Sequence, residues 1–367
     1  MTESEILQAL QTVINPATGK DIISERMVKD IHIHNKNVFF IIEIGAPDAE
    51  TKGRLNAACE EAILKHVDKD AQVNVTFRPT MAKKAPAPSS ANPLPGVKNI
   101  IAVVSGKGGV GKSTVAANLA LALSASGATI GLMDADIYGP SMPMMFGLRG
   151  ERPMMKEDES GKGKIIPIEK YGLKIMSIGF LVDEKQAVVW RGPMASSAIK
   201  QFVTDVEWGE LDILVIDMPP GTGDIHLTLL QTIPLTGVVI VTTPQDVALA
   251  DAKKGIAMFG QAQVNVPILG IVENMAYFTP AELPDNKYYI FGKDGGKNLA
   301  SEYDVNLLGQ IPIVQAIREG GDKGVPVVAG DDEITKAAFR DLAGKTIHYL
   351  HKRNDDHEPT SPVQIVE

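Results

Sequence analysis

The chain has a single cysteine, Cys59, in 367 residues. An intrachain disulfide is excluded, and a reducing compartment is expected. Long apolar runs are missing too: none approaches the roughly 20 residues that cross a bilayer. The opening residues, Met1-Thr2-Glu3-Ser4-Glu5, are acidic and carry no apolar signal core. These absences set the expectation of a cytoplasmic protein with no membrane partner. Positive charge is in deficit, 36 Lys and Arg against 45 Asp and Glu, for a net charge of −9. That balance argues against a nucleic-acid partner bound through a broad basic face. The hydrophobic fraction of 44% suits a buried core, and the charged fraction of 22% suits a soluble surface. The length allows two or three domains.

The most specific chemistry lies in Ile100-Ile101-Ala102-Val103-Val104-Ser105-Gly106-Lys107-Gly108-Gly109-Val110-Gly111-Lys112-Ser113-Thr114. An apolar, β-branched run enters a glycine loop, which closes on Lys-Ser-Thr and passes into a helical segment over 115–123. That context gives the G-x-x-x-x-G-K-[ST] pattern its meaning as a phosphate loop and disfavours a chance glycine turn. Glycines let successive N–H groups point at phosphate oxygens. The helix start aims its positive dipole end at the same anion. Lys112 has the reach for the β- and γ-phosphates, and the Ser113 hydroxyl suits Mg²⁺. Lys107 adds a long cation inside the loop, able to serve a phosphate in its own subunit or across a dimer interface.

Residues 1–79 read as a small α+β domain. A helix is expected over 5–13, a turn at 15–20, a strand at 27–34 with a hairpin partner at 37–44, an amphipathic helix over 51–66 and a strand at 71–77. His32 and His34 share one strand face; with no third ligand they read as exposed histidines, not a metal pair. Cys59, beside alanines and without a basic neighbour, reads as a buried, inert thiol. Residues 80–95 form a Pro-, Ala- and Ser-rich linker. The larger domain spans 96–350. Residues 351–367 are polar, contain Pro and read as a disordered tail. His348, His351 and His357 lack the partners of a metal site.

Beyond the phosphate loop the larger domain alternates strands and helices, the pattern of an open, mostly parallel α/β sheet. The strand before Asp134-Ala135-Asp136 ends in two carboxylates, and ligands gather at such strand ends. One can hold Mg²⁺ or its water and the other can orient the attacking water; a helix N-cap pair is the alternative. Residues 149–170 read as an excursion with a short hairpin. A strand follows at 173–178, then a helix over 194–203 preceded by Arg191, which faces the nucleotide, a partner subunit or plain solvent. Strand 211–217 ends in Asp217, suited to Mg²⁺ through water, and runs into Pro219-Pro220-Gly221, whose Gly221 N–H suits a γ-phosphate. Strands at 237–244 and 268–275, a helix over 246–259, a short strand at 307–312 and a helix over 334–349 complete the pattern. Asn274, at the end of its strand, offers the donor and acceptor that suit adenine.

Four segments together resemble the Mrp/ApbC family of iron–sulfur cluster carrier ATPases. They are the 106–114 loop, Asp134-Ala135-Asp136-Ile137-Tyr138-Gly139-Pro140-Ser141, Asp217-Met218-Pro219-Pro220-Gly221-Thr222-Gly223-Asp224 and Val272-Glu273-Asn274-Met275. That family belongs to the deviant Walker A class of P-loop NTPases, with the Min-system, ParA and nitrogenase iron proteins. The resemblance covers about 97–330. Residues 1–80 resemble, less sharply, the small domain fused ahead of bacterial members and related to iron–sulfur assembly factors. The resemblance implies an ATP-bound homodimer in which Lys107 reaches the partner's nucleotide. It implies that Lys112, Ser113 and Thr114 bind phosphate and Mg²⁺, that Asp136 positions the hydrolytic water with Asp134 and Asp217 near the metal, and that Asn274 contacts adenine. It also implies iron–sulfur clusters as cargo, with assembly factors and apoprotein clients as partners.

One departure bears on that cargo. Family members usually carry a Cys-x-x-Cys shortly after the Val-Glu-Asn-Met segment, and two subunits share a cluster through it. Residues 276–292 here contain no cysteine, and the small domain's usual Pro-x-Cys-Pro-like turn is replaced by Ala46-Pro47-Asp48-Ala49. A thiolate cluster site takes four cysteines, and a dimer of this chain supplies two, both Cys59. Glu282 and Asp285 are poor substitutes for a soft metal. No iron–sulfur ligands are identifiable. The sequence therefore supports an ATP-driven cluster carrier, an ATP-switched scaffold of cluster assembly that holds no cluster, and, less well, a ParA-like positioning ATPase.

Overall fold

Val38, Phe40, Ile42 and Ile44 are buried while Phe39 between them is exposed, the period-two pattern of a strand with one face on a core. This small core belongs to the first of two units, Met1–Ser90 and Ala91–Glu367, in a computed structural model. The structure describes residues 1–16, 18–25, 27–34, 36–44, 49–79, 93–157, 161–182, 192–280 and 282–363. The first unit holds α1 (Glu3–Leu10), β1 (Val28–His34), β2 (Asn37–Ile44), α2 (Ala49–His66) and β3 (Gln72–Pro79). The Thr2 hydroxyl and the Glu5 carboxylate cap α1 reciprocally. β1 pairs antiparallel with β2 and β2 parallel with β3, so α2 makes the crossover. Cys59 is buried on α2, and burial pushes its thiol up to about 12. It is the protonated, unreactive thiol that its alanine neighbours suggest. His32 and His34 sit at register positions opposite Phe39 and Asn37. Most of the 80–95 linker, the 46–48 part of the small-domain turn and Arg191 lie outside the described residues.

The second unit begins with β4 (Val97–Val104), α3 (Lys112–Ala125), β5 (Ile130–Asp134) and α4 (Met142–Met145). A hairpin follows, β6 (Met154–Glu157) with β7 (Gly163–Ile166), as the 149–170 excursion leads one to expect. Then come β8 (Ile168–Lys170), β9 (Leu173–Ser177), α5 (Gly192–Thr204), β10 (Leu211–Asp217), α6 (Asp224–Thr232), β11 (Gly237–Thr242) and α7 (Asp246–Phe259). The last elements are β12 (Ile268–Glu273), α8 (Gly295–Glu302), β13 (Leu307–Gln310), α9 (Gln315–Lys323) and α10 (Glu333–Asp356). The sheet order is β13-β12-β11-β4-β10-β5-β9-β8. Every pairing is parallel except β8 with β9. This is the α/β architecture with an open, mostly parallel sheet that the strand–helix alternation predicts. β4 and β10 lie centrally and carry unbroken apolar runs, at 100–104 and 213–216, because helices cover both faces of such a sheet.

Register then aligns the chemistry. Asp217 lies level with Val103 on one side and Asp134 on the other, and Asp134 lies level with Ser177. The carboxyl ends of β4, β10, β5 and β9 thus finish at one edge of the sheet. The chain's end departs from expectation. α10 continues to Asp356, past the 349 boundary, and the Val363 N–H donates to the Leu230 carbonyl at 2.8 Å. The expectation of a disordered tail from 351 is corrected for 351–363. The last helical turns are polar, so hydrophobic periodicity misses them. They are held by Arg353, which is buried and donates to the Glu358 carbonyl at 2.8 Å.

Candidate functional site

The phosphate loop connects β4 to α3, and two of its glycines are fixed by geometry. Gly111 caps α3 in the left-handed region, φ +81°, and a Cβ there would overlap the Asn274 amide. A Cβ on Gly106 would overlap the backbone of Asp251 on α7. The loop borders a cavity of about 550 Å³, a size ordinary for a nucleotide or other small-molecule site. Lys107, Gly108, Gly109, Gly111, Lys112, Ser113, Thr114, Asp136 and Asn274 line it. Gly106 packs against α7 instead, and Val110 is buried, its carbonyl accepting from the Asn274 amide at 2.8 Å. Lys107 is exposed, and its carbonyl accepts from the Ser105 hydroxyl at 3.0 Å.

The charges are concentrated behind the loop. Lys112 is only 6% exposed; its Nζ donates to Asp217 Oδ1 at 2.5 Å and to Ser113 Oγ at 3.3 Å, and lies 3.8 Å from Asp136 Oδ2. Asp217 and Asp134 are both fully buried. Asp217 Oδ2 has no hydrogen-bond partner. Burial raises the Asp217 pKa against the pull of Lys112. Asp134 is differently placed. Its Oδ2 accepts from Ser177 Oγ at 2.9 Å and from the Ser141 and Met142 N–H groups at 3.1 and 3.2 Å, and its Oδ1 accepts from the Asp136 N–H at 3.2 Å. It therefore ties down the loop that carries Asp136. Burial, then the neighbouring Asp217 charge, push its pKa up to about 7.

This has a measurable consequence for the metal-free protein. A carboxyl raised from about 4 to about 7 binds more proton when folded than when unfolded across that window, so stability falls as pH rises through it. Denaturant unfolding in EDTA should show a lower midpoint at pH 8 than at pH 5. The opposite slope would contradict the buried carboxylate pair.

Some residues of the site were not read from the sequence. Ser177 holds Asp134 from the end of β9, and the rule that ligands gather at strand ends was the signal that could have found it. The far wall of the cavity includes Phe291, Pro312, Ile313, Ile317 and Arg318. These come from loops and from α9, where neither period nor motif marks them. Glu273, beside Asn274, accepts from the Gly296 N–H and from Gln310 Nε2, and so anchors the start of α8.

A glycine phosphate loop between the central strand and its helix, ringed by acidic strand ends, defines a P-loop NTPase. The comparisons agree. Residues 96–347 match the model of the NUBPL iron-transfer P-loop NTPase family, and residues 3–87 match a model described as iron–sulfur cluster assembly protein. The chain belongs to this iron-transfer P-loop NTPase family. It is 46% identical to an iron–sulfur cluster carrier protein of Synechocystis sp., covering 95% of this chain and 97% of that one. It is 39% identical to the iron–sulfur cluster carrier protein of Helicobacter pylori over 98% of both chains. A solved structure of a nucleotide-binding protein from Archaeoglobus fulgidus in complex with ADP is 38% identical, with a TM-score of 0.56, covering 65% of this chain and 91% of that one. Among the described residues no helix is long and apolar enough to cross a membrane.

Proposed function

We propose that the chain is a Mg²⁺-dependent ATPase whose nucleotide cycle switches a homodimer and serves iron–sulfur cluster delivery to apoproteins in the cytoplasm. The observation that carries the ATPase reading is the Lys112 ammonium held between Asp217 and Asp136 at the wall of the phosphate-loop cavity. With ATP present Lys112 turns to the β- and γ-phosphates and Asn274 borders the base. Asp136 orients water for attack on the γ-phosphorus; the bond to the β,γ-bridging oxygen breaks and ADP leaves. Lys107, exposed on the loop, reaches the partner's nucleotide. Ser113 and Asp217 would hold Mg²⁺, which suits their hard oxygens and the unpartnered Asp217 Oδ2. That ion would offset phosphate charge. Asp134 serves the metal side by fixing the Asp136 loop and by its charge.

The carrier relatives support clusters as cargo. A second reading, an ATP-switched scaffold that holds no cluster, is favoured by one observation: the only thiol of the chain, Cys59, is buried and strongly protonated. Among the described residues no three His, Cys, Asp or Glu side chains group as a metal site. Two measurements decide. Phosphate release from ATP should require Mg²⁺ and stop with EDTA; its absence would overturn the ATPase reading. After anaerobic reconstitution with iron and sulfide, iron retained in proportion to protein supports the carrier. Iron-free protein with ATP-dependent partner binding supports the scaffold.

A further inference from the structure

His226 is a buried titratable side chain beside the phosphate loop that the chemistry above leaves unused. It lies in the first turn of α6, directly after the 218–223 loop, and is 1% exposed. Neither Nδ1 nor Nε2 has a hydrogen-bond partner. Burial, then the Lys112 ammonium, hold its pKa down to about 4, so near neutral pH it is an uncharged imidazole with one donor and one acceptor unmet. The Gly223 and Pro219 carbonyls lie near enough to influence it without hydrogen-bond geometry. Buried polar groups are normally matched, and an unmatched one marks a state that is incomplete.

The adjacent loop shows what is incomplete. The Gly221 N–H donates to the Ser105 carbonyl at 2.9 Å, and the Met218 N–H donates to the Val103 carbonyl at 3.1 Å. While Gly221 is pinned to the end of β4, its N–H is not available to a phosphate. Contact with a γ-phosphate requires that bond to break and the loop to move. The imidazole sits against both ends of the loop, beside the Pro219 and Gly223 carbonyls.

We propose that His226 is the positioning residue of the 218–223 loop: its imidazole is unmatched while Gly221 is bonded to Ser105, and gains a backbone hydrogen bond when the loop shifts to present Gly221 to the γ-phosphate. Relief of the mismatch biases the equilibrium toward the shifted loop. ADP lacks the γ-phosphate and draws no benefit. The inference rests on the ATPase reading above and names a device within it.

The test compares His226→Leu and His226→Gln in the full chain, measuring kcat, KM, Mg-ADP affinity and Tm. For His226→Leu, kcat should fall about tenfold while Mg-ADP affinity stays within about twofold. Its Tm should hold or rise, because two unmatched buried polar atoms are gone. His226→Gln, which retains a donor and an acceptor, should recover most of kcat. An unchanged kcat in His226→Leu, a parallel loss of Mg-ADP affinity, a lowered Tm or a glutamine variant no better than leucine would each overturn the proposal. If the unaltered chain turns over no ATP, the ATPase reading itself fails. Normal turnover beside an unaffected leucine variant sinks only the role of His226.

Discussion

Lys112→Ala should lower ATP turnover by about 10²–10³-fold, the scale lost when one donor to a developing anion is removed. The side chain is nearly enclosed, and its ammonium touches Asp217 and faces Asp136. In the proposed site it turns from these carboxylates to phosphate oxygens, exchanging one set of anionic partners for another. The substitution has a second, separable effect. Without the cation Asp217 is left beside Asp134 with no counter-charge, and an uncompensated buried charge costs about 3–5 kcal/mol. Protonation relieves that cost, so the metal-free variant should be destabilised more at pH 8 than at pH 5. Phosphate release and denaturant unfolding at the two pH values check both halves. Turnover equal to that of the unaltered chain would remove Lys112 from the site.

Asp136→Ala is expected to separate chemistry from binding. Removal of the group that orients the attacking water is expected to cost about 10²-fold or more in turnover. Asp136 contributes little to the architecture: its Oδ1 accepts from the Gly139 N–H at 3.3 Å, and its Oδ2 faces Lys112 at 3.8 Å. Its loss frees Lys112 from one competing carboxylate, so nucleotide should bind as tightly as before or tighter. Asp134 remains to hold the loop through Ser141, Met142 and Ser177. A variant that loses kcat and nucleotide affinity together would place Asp136 in binding instead of in water activation.

The two carboxylates of Asp134-Ala135-Asp136 show where sequence reasoning stops. From residue type and spacing alone they are equivalent strand-end acids, either one fit for metal or water, and only the family resemblance assigns Asp136 to the water and Asp134 to the metal side. Folding separates them. Asp134 is fully buried and bound by four donors, while Asp136 opens on the cavity. That difference depends on β9 and α4, whose contributing groups lie 7 to 43 positions away in sequence.

The sequence by itself determined the parts whose signal is local. The phosphate loop is a contiguous motif between a β-branched strand and a helix. The central sheet strands carry continuous apolar runs because both faces are covered. The single cysteine is a count and needs no structure. Only the tertiary structure decided the distant and the polar features. Parallel register set Asp217, Asp134 and Ser177 side by side. Burial drove the pKa values of the acids up and that of His226 down. Polar packing carried α10 past the end of its apolar pattern. Hydrogen-bond partners and desolvation depend on what packs against a residue from elsewhere in the chain, and no window along the sequence contains that.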